Sequence, residues 1–473
     1  MKDITEEIEL IESLEEKLEF DDDNYKYLMY KENNKFWIET NKTLDQDNSK
    51  IRFQNIDGVE FTEAATTIDL GMKILSSNLR TTDCRKSKFS VSEFCSLNFQ
   101  KDKKLKQKLI IPYKKEINIR YDDFFSNYDF MIYVNNRIFS GIRFNINSIS
   151  LEMYHLDKFF IVESLDEIEY KQFDQICRFA LASFGFVTGF VPMDRGYYFG
   201  YKDEEIIQYL FSGTFYNTYK SQFSLLTTNP YQFYQNHNLS FSFENGKFTT
   251  DERIEELQPK LKPFERENFE KLVNTMLNEE KFSEIIFSMI NINNLKGFSV
   301  FLKAGLYSIV LEMITTIVTS KDKKKDEEDL KDKRKRKELQ GKLYEEARKF
   351  YEKNEINFKG SIVEKRINGI FNPLNTNKLL LAYELLDIKL NAQEKKNIEL
   401  RNKFLHGALP FKDKEFEALG AKLFYINLEL NYLVSALIFK YMGYKGALKN
   451  LAKIYLDYKK LKELDNEDYF KTI

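Results

Sequence analysis

The sequence predicts an α+β protein in which a strand-rich N-terminal module with inserted helices precedes an all-α helical bundle. Two patterns support this division. Across residues 25–165, aromatic and β-branched residues alternate with polar ones in short runs that end at Asn, Asp or Gly turns. Beyond residue 285, long apolar segments without proline, rich in good helix formers, replace these short runs.

The first module contains runs typical of strands and one segment typical of a helix. Lys35–Thr40, residues 117–121 and Phe130–Val134 combine aromatic and β-branched residues in the manner of strands. Residues 166–189 have the length and composition of a helix, and the aromatic sequence at 196–201 predicts a further strand. We therefore expect a sheet that carries an inserted helix.

Changes of pattern along the chain divide it into four segments. Residues 1–24 predict an acidic helix or arm at the periphery, and residues 25–245 the strand-rich module. Residues 246–284 contain two prolines and predict a linker with a connecting helix, before a bundle over 285–473. The helices expected in the bundle cover residues 299–319, 378–390 and 416–441, with a last helix through Leu461.

The most informative stretch is residues 401–406, with the sequence Arg-Asn-Lys-Phe-Leu-His. Residues 392–406 contain no Gly or Pro and are rich in Glu, Lys, Leu and Gln, so they predict a helix. We expect this helix to end at His406 or Gly407, because glycine favours the helix C-terminus and Pro410 forbids continuation.

Two polar residues of this helix fall on its apolar stripe. Ile398, Arg401, Asn402 and Leu405 are spaced to share one face, so Arg401 and Asn402 stand where apolar residues would normally meet the core. Asn402 and His406 are four residues apart and can touch, whereas Arg401 needs its long stem to converge with them. A polar intrusion of this kind indicates a site. In an isolated hexapeptide, the same residues would more ordinarily cap the helix and bind loop carbonyls.

This helix and its helical frame resemble the HEPN superfamily, whose signature is an Arg, a polar residue that is often Asn, a few variable residues and a His at a helix-to-loop junction. Arg401, Asn402, His406 and the following Gly407 match that pattern. More narrowly, the chain is similar to the ApeA-type HEPN proteins of bacterial anti-phage defence, in which a strand-rich region precedes the bundle. The resemblance covers residues 285–473 well and the preceding region by architecture alone.

The resemblance implies a metal-independent endoribonuclease that needs no cofactor and leaves 2′,3′-cyclic phosphate and 5′-hydroxyl ends. His406 would act as general base or acid, Arg401 would stabilise the phosphorane charge, and Asn402 would orient His406 or hold the phosphate. Because each chain carries one motif histidine, the resemblance also implies a homodimer in which two motif helices build one composite site. Glu312, a polar residue in a predicted apolar helix, is a possible secondary site residue, although an exposed glutamate is the commoner explanation.

A charge run over residues 321–337 is a second candidate for contact with RNA. Its lysines and arginines could follow an RNA backbone, whereas its interspersed acidic residues favour a solvated segment between helices. The candidate RNA-binding residues are Lys333, Arg334, Lys335, Arg336 and Lys403. The net charge of −2 argues against a globally basic nucleic-acid coat, so any RNA contact is local.

Several other classes of protein find no support in the sequence. Cys84, Cys95 and Cys177 lack the C-x-x-C spacing of zinc sites and are too few for a disulfide framework, which favours a reducing cytoplasm. The acidic start does not resemble a signal peptide, and no uninterrupted apolar run reaches about 18 residues, so we expect a soluble protein without a membrane partner. Phosphate-binding loops and dinucleotide-binding fingerprints are also absent from the sequence.

The function that the resemblance implies is abortive-infection defence. A phage protein or other phage component would engage the first module, a sensing or regulatory part, and release cleavage of tRNA or other host RNA. The main alternative is a non-catalytic HEPN-like bundle that serves dimerisation or RNA binding. A toxin controlled by a separate antitoxin is a further alternative.

Overall fold

The computed structural model shows two compact units. The first unit comprises Met1–Phe233 with Leu261–Ile290, and the second comprises Tyr234–Lys260 with Asn291–Ile473. The structure describes residues 4–22, 25–32, 35–40, 53–54, 59–61, 87–91, 93–96, 98–113, 119–126, 130–134, 137–192, 195–213, 219–220, 224–229, 243–244, 247–248, 255, 257–295, 299–320, 325–354, 359–370, 375–405, 407, 416–459 and 468–473.

The first unit is built on antiparallel sheets. Its strands are β1 (Leu18–Asp22), β2 (Tyr25–Glu32), β3 (Lys35–Thr40), β4 (Phe53–Gln54), β5 (Val59–Phe61), β6 (Ser87–Val91), β7 (Glu93–Ser96), β8 (Lys104–Pro112), β9 (Phe130–Val134), β10 (Arg137–Ile146), β11 (Ile149–Leu156), β12 (Phe159–Ser164), β13 (Ile168–Glu169), β14 (Phe190–Val191), β15 (Arg195–Lys202), β16 (Glu205–Gly213) and β17 (Tyr219–Lys220). The main sheet has the order β4-β5-β7-β16-β15-β8-β12-β11-β10-β9, with β13 beside β8, and a second sheet has the order β1-β2-β3-β6.

Four helices accompany these strands. They are α1 (Thr5–Glu15), α2 (Tyr170–Thr188), α3 (Arg266–Asn278) and α4 (Glu280–Asn294), whose last residues pass into the second unit. The inserted helix predicted over 166–189 is confirmed as α2, which ends where Gly189 adopts a left-handed φ of 77°. The strand predicted over 117–121 is wrong in its described part, because Tyr121 begins a 3-10 turn, Tyr121–Asp123.

The centre of the main sheet is buried on both faces. Every residue of β12 is buried, and its first four residues form a continuous apolar run rather than an alternating one. Phe160 points to α2, where its ring lies 5.3 Å from that of Phe184, whereas the neighbouring Phe159 and Ile161 belong to the core on the side of α1. Helices on both faces therefore explain the apolar composition of this strand.

α1 is part of that core, which corrects the prediction of a peripheral arm. Ile11 and Leu14 of α1 are 2% and 5% exposed and pack in one cluster with side chains of the sheet. The buried carboxylate of Glu7 accepts a hydrogen bond of 2.5 Å from the Tyr201 hydroxyl and forms an ion pair with Lys108. The acidic residues that suggested a solvated helix therefore include one that anchors α1 to the sheet.

His155 is a structural histidine of the first unit. It is 7% exposed in β11 and stacks on the ring of Tyr121 at a centroid distance of 5.5 Å. Burial lowers the pKa of His155 to about 4, an effect only partly opposed by the nearby charge of Asp157. The imidazole is therefore neutral at physiological pH.

We expect His155 to make the first unit sensitive to acid. The unfolded chain binds a proton with an ordinary histidine pKa near 6.5, whereas the folded pKa is about 4, so stability is fully present above pH 6.5 and falls towards pH 4. Protonation of His155 lowers the free energy of unfolding by up to about 3 kcal/mol. Urea unfolding at several pH values, followed by fluorescence of the single tryptophan, Trp37 in β3, would measure it. His155→Gln should flatten the curve over this window; equal slopes in both proteins would contradict the assignment.

The second unit is a helical bundle with small strand pairs. Its helices are α5 (Val300–Ser320), α6 (Lys325–Lys353), α7 (Gly360–Ile370), α8 (Asn375–Leu385), α9 (Ala392–Leu405), α10 (Phe416–Tyr441) and α11 (Leu451–Lys459), and its strands are β18 (Phe243–Glu244), β19 (Lys247–Phe248), β20 (Ala447–Lys449) and β21 (Phe470–Thr472). α5 packs against α8, α9 and α10, and α10 also packs on α11. The bundle is thus not purely helical. β20 precedes α11 in the chain, β21 follows it, and the two strands pair with each other.

Two helices of the bundle are long and apolar enough to cross a membrane by length and composition. Among the described residues they are Val300–Ser320 and Leu419–Tyr441. Charged residues such as Glu312 and Glu429 interrupt both, so neither is an uninterrupted apolar run. In Leu419–Tyr441, 89% of the most apolar 18-residue stretch is buried inside the protein, as in the core helix of a bundle. In Val300–Ser320, the buried share is 44%.

The segment boundaries in the structure differ from those predicted. The region from Leu261 to Ile290, predicted as linker, connecting helix and the start of the bundle, belongs to the first unit instead, where α3 packs on α2 and β10. The helix predicted over 378–390 ends earlier, at Leu385. There, Asp387 has a positive φ of 54° and Ile388 donates its N–H to the Tyr383 carbonyl at 2.8 Å, which closes a turn.

Candidate active site

The helix that carries the motif is α9, and its first residue is the one predicted. Its start is fixed by a reciprocal pair of hydrogen bonds: the Asn391 N–H donates to Glu394 Oε2 at 2.7 Å, and the Glu394 N–H donates to Asn391 Oδ1 at 2.8 Å. α9 ends at Leu405, and Gly407 follows with a left-handed φ of 69°. The glycine thus has the conformation of a helix stop.

The buried face of α9 is polar for most of its length. Its buried residues are Glu394, Asn397, Ile398, Arg401 and Phe404. The predicted stripe is therefore right for Ile398 and Arg401 but wrong for Asn402, which is exposed. The buried stripe continues from Ile398 through Arg401 to Phe404, and Asn402, the residue after Arg401, lies on the solvent side of the helix.

Arg401 forms an ion pair with Glu312 of α5. Arg401 Nη2 contacts Glu312 Oε1, and the side chains are 4% and 42% exposed. The same two helices also meet where the rings of Phe301 and Phe404 lie 5.8 Å apart. The structure thus brings together Arg401 and the secondary candidate Glu312. Glu312 stands among apolar residues in the sequence, and its carboxylate contacts the motif helix.

The guanidinium of Arg401 is not fully satisfied by this pair. Its Nε–H is buried and has no hydrogen-bond partner among the residues that the structure describes. Buried polar groups are usually hydrogen-bonded, and exceptions are frequent at functional sites. Asn402 and Lys403, the next two residues, are exposed. His406 lies outside the described residues, so the convergence of Asn402 and His406 stays a prediction.

A second ion pair holds the other end of α9. The ammonium of Lys471 in β21 lies 2.9 Å from Glu394 Oε1 and 3.7 Å from Glu429 Oε1 of α10. Glu394 and Glu429 are 2% and 0% exposed. Lys471 also lies 4.9 Å from the ring centroid of Tyr432. Sequence reasoning missed these residues, although the Asn391-x-x-Glu394 spacing is a capping signal that could have drawn attention to Glu394.

The basic run lies mostly on a helix rather than on an inter-helix segment. α6 includes Lys333, Arg334, Lys335 and Arg336, and it packs mainly on α7. Lys335 is exposed; the side chains of the other three are outside the described part of the structure. The helices that pack most extensively on α9 in the described part of the bundle are α5, α8 and α10, and α6 is not among these main neighbours.

Comparisons with known proteins add no relative. Protein-family models, curated proteins and solved structures all fail to match this chain. Over the described part of the chain, no group of three or more His, Cys, Asp or Glu side chains is placed to hold a metal ion.

Proposed function

We propose that this chain is an endoribonuclease of the HEPN type, with Arg401, Asn402 and His406 as its catalytic residues. The observation that carries the proposal is the position of Arg401. Its cation is buried on the motif helix and joined to Glu312, one residue before the exposed Asn402 and Lys403. A charged group is costly to bury, so an arginine held at the rim of a bundle beside exposed polar residues favours a site for an anion.

The proposed reaction is an internal transfer at phosphorus. His406, when neutral, takes the proton of a ribose 2′-hydroxyl while that oxygen bonds to the adjacent phosphorus, and the bond from phosphorus to the 5′-oxygen breaks. The leaving oxygen receives a proton from a protonated histidine, which the second chain of a dimer would supply. The products are a 2′,3′-cyclic phosphate and a 5′-hydroxyl, and the balance of atoms needs neither a metal nor a cofactor.

The ion pair with Glu312 limits how Arg401 can serve this reaction. While the pair is closed, the guanidinium is almost fully buried and offers little surface to a phosphate. A phosphate would reach Arg401 by displacing the half-exposed Glu312 carboxylate. The planar guanidinium binds phosphate oxygens as well as carboxylate oxygens. Glu312 thus acts on the site by holding Arg401 in place until RNA arrives.

The proposed active form is a homodimer. α5 exposes Leu302 and Ile309, which are 46% and 45% exposed. Their spacing places them near the side of α5 that carries Glu312. Apolar side chains of this size on the surface support contact with another protein. A second copy on this face would bring two motif helices together.

The proposed biological role is abortive-infection defence from the cytoplasm. The first unit would sense a phage component, and the nuclease would then cut tRNA or other host RNA. An unregulated ribonuclease would poison its own cell, so control of the site is required. A preference of a few kcal/mol for the inactive arrangement is enough for such control.

A specific observation also favours the scaffold alternative. Arg401 is paired and 3% exposed, as a purely structural residue would be. In that case the bundle would bind RNA or a second copy without cutting, and the motif would stabilise helix packing. The two functions differ in whether new RNA ends form.

The chemistry of RNA ends tests the proposal directly. Purified full-length protein, incubated with tRNA and with a structured messenger RNA in the presence of EDTA, should produce fragments with 5′-hydroxyl ends. Those ends should accept phosphate from a polynucleotide kinase. The 3′ ends should resist ligation to a 5′-phosphate until the cyclic phosphate has been opened and removed to leave a 3′-hydroxyl. Because the first unit is proposed to restrain the site, the assay is repeated with lysate from phage-infected cells. Intact RNA in both arms would contradict the proposal.

A further inference from the structure

The position of the motif helix depends on few apolar contacts. Of the five buried residues of α9, only Ile398 and Phe404 are apolar, and Glu394, Asn397 and Arg401 are polar. A buried helix usually gains its stability from an apolar stripe. In α9 the stripe is interrupted, so the ion pairs at its two ends carry a larger share of its positioning.

These two ion pairs connect α9 to different elements. Arg401 reaches Glu312 of α5, and Glu394 reaches Lys471 of β21, a strand far along the chain. Glu394 and Arg401 are seven residues apart, so they lie on the same side of the helix, two turns apart. Together they fix both the place and the rotation of α9 in the bundle.

We propose that Lys471 is a positioning residue for the motif helix. Its ammonium lies between two buried carboxylates, Glu394 in the first turn of α9 and Glu429 in α10. Like charges in a buried environment repel strongly unless a cation stands between them. Lys471 therefore joins the first turn of α9 to α10 and, through its strand, to β20. The role in catalysis rests on the proposed function; the role in holding α9 does not.

Removal of this cation tests the proposal in the full-length protein. In Lys471→Met the two carboxylates lose the cation that lies between them, so amide hydrogen exchange at residues 391–400 should become roughly tenfold faster or more. Exchange in α2 of the first unit, which Lys471 does not contact through either ion pair, should change far less. The rate constant kcat for RNA cleavage should fall roughly tenfold, with KM nearly unchanged, because the catalytic groups are displaced while the RNA surface is intact.

Three further variants separate this role from general destabilisation. Lys471→Arg keeps a cation and should retain most protection of residues 391–400. Glu394→Gln in the Lys471→Met background removes one of the opposed charges while its amide oxygen can still accept from Asn391, so it should recover part of the loss. Lys445→Met, at an exposed lysine nearby in the chain, should behave like the parent.

The outcomes are distinguishable from failure of the proposed function. If the parent does not cut RNA, the ribonuclease proposal fails while hydrogen exchange still decides whether Lys471 holds α9. Unchanged exchange at residues 391–400, or an equal increase in α2 of the first unit, would overturn the positioning role. Faster exchange with an unchanged kcat would overturn its link to catalysis.

Discussion

His406→Ala should abolish RNA cleavage and phage protection while the protein stays folded. A positioned acid or base contributes roughly 10²–10⁴-fold to the rate, and no second histidine lies in the motif, so residual activity should be near background. The assay compares fragment yields in vitro and phage titres in cells at equal soluble expression. Glu399→Ala, an exposed residue on the same helix, is the matched control and should retain parental activity.

The contrary result has a clear meaning. If His406→Ala cuts RNA at the parental rate, the histidine is not the acid or base, and the helix pattern serves another purpose. If protection persists without cleavage by either protein, the scaffold alternative is favoured and the activity lies elsewhere in the defence process.

Arg401→Lys should separate a catalytic arginine from a structural one. Lysine keeps the positive charge and can still pair with Glu312, so we expect the melting temperature to fall by only a few degrees. Lysine lacks the planar fork that binds two oxygens of a phosphate, and the cleavage rate should fall by roughly 10²–10³-fold. Melting curves and single-turnover cleavage on the same samples measure both effects.

Arg348→Lys provides the control for this exchange. Arg348 forms an ion pair with Glu352 on the exposed surface of α6, and the same substitution there should change neither stability nor cleavage. If Arg401→Lys instead lowers stability by a large amount and leaves the cleavage rate of the remaining folded protein unchanged, Arg401 acts through packing.

The sequence predicted elements best where one local rule dominated. β3, β9 and α10 were predicted with the bounds found in the structure, because strong alternation or a long apolar run allowed no competing interpretation. Residue 121 was misjudged because residues 117–121 alternate apolar and polar side chains as a strand does, and a buried Tyr121 also suits the start of a 3-10 turn. The α3 helix was assigned to a linker region because its partners, α2 and β10, are distant in sequence. Local patterns carry no information on such long-range packing.

The sequence marked Arg401 as unusual but did not predict its contacts. Arg401 broke the apolar pattern of its helix, which correctly marked it as unusual. Glu312 carried a weaker signal, and its pairing with Arg401 depends on the register between α5 and α9, which periodicity does not give. Lys471 carried no local signal, since an isolated lysine in a short strand is common. Its meaning comes from two buried carboxylates in other helices.

The anchoring of α1 has a practical consequence for work with this protein. A recombinant chain started at Tyr25, the predicted edge of the folded module, would lack Ile11, Leu14 and the Glu7 carboxylate. Apolar side chains on one face of the sheet would then meet water, and Lys108 would lose its counter-charge. We expect such a truncated protein to aggregate during expression. Shortening from this end is therefore a poor route to an isolated first unit for ligand screening.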